Sequence, residues 1–114
     1  MIVRIWQAEV SARRADEFCA QLTEDVLPQI FRTEGCLGGE LLRALADGDH
    51  RVVMITRWRD EDALRAYAGP MWRIRPVWAE GELNYLEHPP TVAHYLPLSA
   101  EAPADPRPPS PASS

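Results

Sequence analysis

A chain of 114 residues, 46% hydrophobic and 25% charged, has the size and mix of one soluble globular domain. Its 12 basic residues are all arginine and are outnumbered by 17 acidic ones, a formal net charge of −5. That balance disfavours a nucleic-acid partner, whose affinity comes mainly from cations meeting phosphates, and the lack of lysine rules out a lysine Schiff-base enzyme or a P-loop.

Ile2 to Val10 is rich in β-branched and aromatic residues and lacks Gly and Pro, which predicts a first strand. Val3, Ile5, Gln7 and Glu9 alternate there with Ile2, Arg4, Trp6, Ala8 and Val10. Ser11 is suited to cap a helix starting after it. From about Ala12 to Thr33, Phe18, Leu22, Val26 and Ile30 recur at helical spacing, with Cys19, Leu27 and Phe31 beside them. Pro28 should kink or end this helix, and Gly35 suits a left-handed cap after it.

Leu37 to Leu45 predicts a second strand, weakened at its start by Gly38 and Gly39. Asp47-Gly48 marks the turn into Arg51 to Arg59, the clearest strand in the chain. There Val52, Met54, Thr56 and Trp58 share one face, and Val53, Ile55 and Arg57 the other. Both faces are largely apolar, so both call for cover. Asp60 is a plausible cap for a helix with Leu64, Tyr67 and Ala68 inward, stopped at Gly69-Pro70. Met71 to Gly81, with Trp72, Ile74, Val77 and Trp78, reads as a short irregular helical piece broken at Pro76. A loop over Asn84 to Pro90 leads to a last strand, Thr91 to Leu98, with Pro97 marking a sheet edge.

Five of the 11 prolines fall in the last twelve residues among Ala and Ser. Such a run buries too little apolar surface to offset the entropy of ordering it. The expected organisation is a folded domain over 1–98 and a disordered tail over 99–114. No stretch approaches the ~20 apolar residues of a membrane span. The N-terminus lacks a signal-peptide pattern, and Arg13-Arg14 is not followed by an apolar run. Cys19 and Cys36 fit no CxxC or zinc pattern, and reduced thiols in the cytoplasm are the expectation.

The order strand–helix–strand–strand–helix–strand is that of an α+β, ferredoxin-like βαββαβ domain with a four-stranded antiparallel sheet and two helices on one face. The helix-free face, apolar in the third strand, would be covered by face-to-face dimerisation.

Three segments resemble the antibiotic biosynthesis monooxygenase family of the dimeric α+β barrel superfamily. They are Met1 to Trp6 with Ala15 to Phe18, then Thr56 to Gly69, then Leu86 to Tyr95. The middle one, a strand ending in Trp before an acidic-capped helix, carries most of the likeness. The resemblance implies a homodimer whose sheets close a barrel, with a pocket between sheet and helices in each subunit. It implies either oxidation of phenolic substrates by molecular oxygen with neither flavin nor metal, or haem binding and degradation. Trp58 matches the Trp at the end of the third strand. Where the quinone-forming members carry an Asn, this chain has Met54; where the haem degraders carry one, it has Trp6 and Gln7. Residues 61–81 contain no His to serve as the haem degraders' axial ligand.

Oxidation without a cofactor needs a base to make an electron-rich phenolate, a donor to protonate the peroxide, and a cation to steady the anion. His94 is the candidate base or acid, with Trp58 and Tyr67 the other candidate catalytic residues. Trp6, Arg57, Trp72, Arg73 and Tyr95 are candidate substrate contacts, and Arg4 a further cation. The bland alternatives stay open: Trp58 and Trp6 as core or interface, His94 as a satisfied buried imidazole, Arg57 in a salt bridge, Tyr67 as packing. His50 and His88 are too scattered for a metal site. No G-x-G-x-x-G, G-x-S-x-G or H-E-x-x-H is present. The functional expectation is a homodimer binding a small aromatic or apolar ligand, with no cofactor, nucleic acid or membrane partner. A non-catalytic binding dimer and a haem-binding relative are the alternatives.

Overall fold

The computed structural model of the chain describes residues 1–77 and 85–98. Strand β1, Ile2–Glu9, leads through a 3₁₀ turn to helix α1, Ala15–Gln21. A π-helical turn, Leu22–Val26, joins α1 to α2, Leu27–Phe31. Strand β2, Cys36–Arg43, and strand β3, Arg51–Trp58, precede helix α3, Glu61–Ala68, and strand β4, Thr91–Tyr95.

The strands form one antiparallel sheet in the order β2-β3-β1-β4, with the helices on one face. This is the ferredoxin-like α+β arrangement that the sequence order predicts. The sheet pairs long-separated segments, so β4 lies beside β1 and Arg4 stands opposite His94, Trp6 opposite Val92.

Alternation along the strands sorts side chains by face. Arg4, Trp6, Ala8, Val52, Met54, Thr56 and Trp58 point to the helices and are buried. They meet Phe18, Leu22 and Ile30 from the first helical segment and Ala63, Leu64 and Ala68 from α3. On the other face Val3, Ile5, Val53, Ile55 and Ala93 are only partly buried, and no described element covers them.

Several local expectations give way to particular contacts. Pro28 does not end the helical segment, which carries a π turn just before it. Its missing N–H and its ring are accommodated by widening the preceding turn, where Leu27 N–H bonds to Leu22 O five residues back. Ser11 makes no side-chain capping bond. Asp60 does: its Oδ1 accepts from Ala63 N–H at 2.9 Å. Gly35, at φ +88°, lies where any Cβ would collide with Cβ of Ala63, so its smallness lets α3 start against the end of α2's loop.

After Gly69, at φ +89°, residues 71–77, the described part of the helical piece expected over Met71 to Gly81, make successive turns and no helix. The bonds Trp72 N–H to Gly69 O and Ile74 N–H to Met71 O close these turns. Trp72 turns inward while Met71 and Ile74 stay exposed, so the local spacing does not form one buried stripe. Trp78 to Gly81, and the tail expected over 99–114, lie outside the described residues. β4 stops at Tyr95, short of Pro97, which has no N–H to continue a ladder.

Candidate functional site

One cleft brings together residues that the sequence singles out. It lies at the β1–β4 end of the sheet, encloses about 310 Å³, and is lined by Ile2, Glu61, Trp72, Arg73, His94, Tyr95 and Leu96. Its walls are mainly apolar, with the polar groups at few points, as in small-molecule sites generally. A larger hollow near Glu9, Asp47, Asp49, His50 and Glu87 is polar and lined by loop residues, and Asp49 there is already held by Arg51.

Behind the cleft sits Arg4, a cation only 3% exposed on the helix-facing side of β1. Burying a guanidinium costs several kcal/mol unless its donors are matched. Its Nη1 donates to Trp72 O at 2.9 Å and to His94 Nε2 at 3.0 Å, and its Nη2 donates to Arg75 O at 2.9 Å. Among the described residues no carboxylate lies within ion-pair distance of it. Burial pushes its pKa below the ordinary value, though a guanidinium stays protonated.

Since Arg4 can only donate, Nε2 of His94 must accept, and the proton of the neutral ring sits on Nδ1. Desolvation first, then the charges of Arg4 and Arg73, push the His94 pKa down to about 4. His94 is therefore a neutral imidazole near pH 7. It is a weak base, and its free polar edge is a donor.

Aromatic and cationic groups run on from this pair in both directions. Trp72 meets His94 edge to face at 4.8 Å between ring centroids, and Arg73 stacks over Trp72 at 4.7 Å. Arg73 also bonds Glu61 at 2.8 Å. On the inner side Arg4 lies 5.8 Å from the Tyr67 ring, which stacks on Trp58 at 4.8 Å. Trp58 is wholly buried and donates Nε1–H to Thr56 Oγ1 at 2.9 Å.

The expected site residues thus divide. His94, Trp72, Arg73 and Tyr95 line the cleft. Trp58 and Tyr67 stand behind it, packed in the core. Trp6 lies deeper, 6.3 Å from the Phe18 ring, with its indole N–H buried and unpartnered among the described residues. Arg57 is on the opposite sheet face, bonded to Glu40 at 3.4 Å, and does not reach the cleft. Ile2, Glu61 and Leu96 also line the cleft, and the sequence does not single them out. Glu61 could be placed in the first turn of α3 by sequence, but the folded approach of α3 and the turn after it is what brings it to Arg73. No group of three or more His, Cys, Asp or Glu among the described residues is arranged to hold a metal.

A ferredoxin-like α+β domain with an aromatic cleft at one end of its sheet is the class that this fold and site define. The chain belongs to the antibiotic biosynthesis monooxygenase family, whose sequence pattern matches residues 1–69. A Nitrosomonas europaea protein that carries the family's name shares 20% identity, with a TM-score of 0.67 over 87% of this chain and 100% of that one. A Streptomyces coelicolor monooxygenase in complex with nanaomycin D shares 20%, with a TM-score of 0.66 over 90% and 92%. The haem-degrader MhuD of Mycobacterium tuberculosis, with two haems bound in its active site, shares 19%, with a TM-score of 0.66 over 90% and 100%. At such identities the likeness is one of fold. No curated protein sequence matches the chain. Among the described residues no helix is long and apolar enough to cross a membrane.

Proposed function

We propose that this domain, as a cytoplasmic homodimer, binds a small aromatic molecule in the cleft beside Trp72 and His94 and oxidises it with molecular oxygen, without a cofactor. The observation that carries this reading is an apolar cleft holding a neutral imidazole and a flat indole, with two guanidiniums beside it. Trp72 would lie against the substrate ring. Arg73 and Arg4 make a positive surround that favours an acidic phenol in its anionic form. Glu61, the carboxylate among the described cleft residues, would take the phenolic proton.

The phenolate then supplies the electrons. One oxygen atom of O₂ bonds to a ring carbon that loses its hydrogen, the other leaves as water, and the phenol becomes a quinone. His94, as a donor, would steady the developing peroxide oxygen. The test is oxygen uptake with a panel of polycyclic phenols and no added cofactor. Turnover that falls at least about tenfold in Trp72→Ala and in His94→Ala supports the reading. No uptake across the panel, with both variants like wild type, overturns it.

A second reading, a non-catalytic binding dimer, is favoured by one observation: Trp58 and Tyr67 are packed against each other, away from the open cleft. Quenching of tryptophan fluorescence by a polycyclic phenol without oxygen uptake would select it. For haem, Nε2 of His94 is already engaged by Arg4, and titration is expected to leave the Soret band unshifted.

A further inference from the structure

Among the described residues Arg4 is the one buried charged side chain, and it contacts two of the residues that line the cleft, Trp72 and His94. Three of its N–H donors go to three separate places: a carbonyl on each side of the 72–75 turn and the imidazole on β4. An arginine fork can span such a set because its donors are fixed in one plane. Trp72, itself a cleft wall, is thereby held at its backbone by Arg4 and at its ring by His94.

We infer that Arg4 is a positioning residue that fixes His94 in a single tautomer, with Nε2 accepting and Nδ1–H left as the donor edge. The inference rests on the cleft being the binding site, but its geometry stands apart from any chemistry. His94 Nδ1 has no hydrogen-bond partner among the described residues, so the ring is tied at one nitrogen and free at the other. An imidazole held this way offers an acceptor oxygen on a ligand an N–H, and offers a ligand proton no lone pair. The charges that act on it are Arg4 on β1 and Arg73 in the turn; Glu61 on α3 is bonded to Arg73, and Tyr67 on α3 lies against Arg4. Desolvation first, and then these two cations, hold the His94 pKa low.

The experiment is ¹⁵N NMR of the histidine side chains across pH in the ligand-free protein, with His94 assigned by its loss in His94→Gln. Wild type is expected to show His94 as the Nδ1–H tautomer alone, titrating near pH 4. In Arg4→Met the tautomers are expected to mix and the titration to move up by about 1 unit. A merely structural role for Arg4 would leave the tautomer balance unmoved. Arg4→Lys keeps the charge but cannot span all three acceptors, so it should loosen the tautomer lock while holding the titration low. It serves if Arg4→Met does not fold. An Nε2–H tautomer in wild type, or an unchanged one in a folded variant, overturns the inference. Failure of the oxygen-uptake panel beside an intact tautomer lock would sink the proposed reaction and leave this inference standing.

Discussion

The two faces of the one sheet obey the same alternation and end differently. On the helix side β1 and β3 contribute Trp6, Ala8, Met54 and Trp58, all buried, and the same face takes in the charge of Arg4 by surrounding it with acceptors. On the far side Val3, Ile5, Val53 and Ile55 are as apolar, but they remain partly open, beside the Arg57–Glu40 pair. A finished face can accommodate a buried cation and put it to use; an unfinished apolar face calls for cover from beyond the described residues. A second copy of the sheet is the cover that the family resemblance implies.

Several substitutions would break or sharpen this contrast. The largest effect is expected from Trp58→Ala on the finished face. Loss of a fully buried indole stacked on Tyr67 should cost about 3–5 kcal/mol in urea unfolding. Next is Ile55→Lys on the open face. It should leave the secondary structure unchanged but weaken self-association about 100-fold in sedimentation equilibrium, or about 2.7 kcal/mol. A wild-type monomer at micromolar concentration would remove the contrast altogether.

Acid should act through the finished face. His94 is neutral when folded down to about pH 4, whereas in the unfolded chain it takes up a proton at its ordinary value near 6.5. The unfolded state thus binds more protons between those values, and stability falls as pH drops from about 6.5 to 4. Partial solvent exposure discounts the full linkage to roughly 1–2 kcal/mol. The slope should flatten in His94→Gln, as read by thermal melts across that range. The smallest effect, about 1 kcal/mol, is expected for Asp60→Ala, which removes the cap on α3 and touches neither face. Unfolding that matches wild type would show the cap to be idle.

Much of this is legible in the chain itself. The alternation in Arg51 to Trp58 already divides the faces correctly, because strand period depends only on backbone geometry. The cap at Asp60 and the stop at Gly69 are likewise readable, since both act within one turn. The Met71–Arg75 turns are not. Trp72 and Ile74 look alike as apolar residues, yet Trp72 is buried, with its carbonyl on Arg4 and its ring against His94, and Ile74 is exposed. His94 as base or acid and Arg57 as a substrate contact are both candidates by sequence, and the sheet face separates them.

The sequence alone determined the order of elements, the two-faced character of β3 and the ferredoxin-like class, because these arise from local propensity and period. Tertiary structure assembled the candidate site. It set β4 beside β1, so that a buried guanidinium meets an imidazole and two carbonyls at once. That meeting narrows His94 from a candidate base or acid to a neutral donor, because the charge state of a side chain is set by what surrounds it and not by its place in the chain.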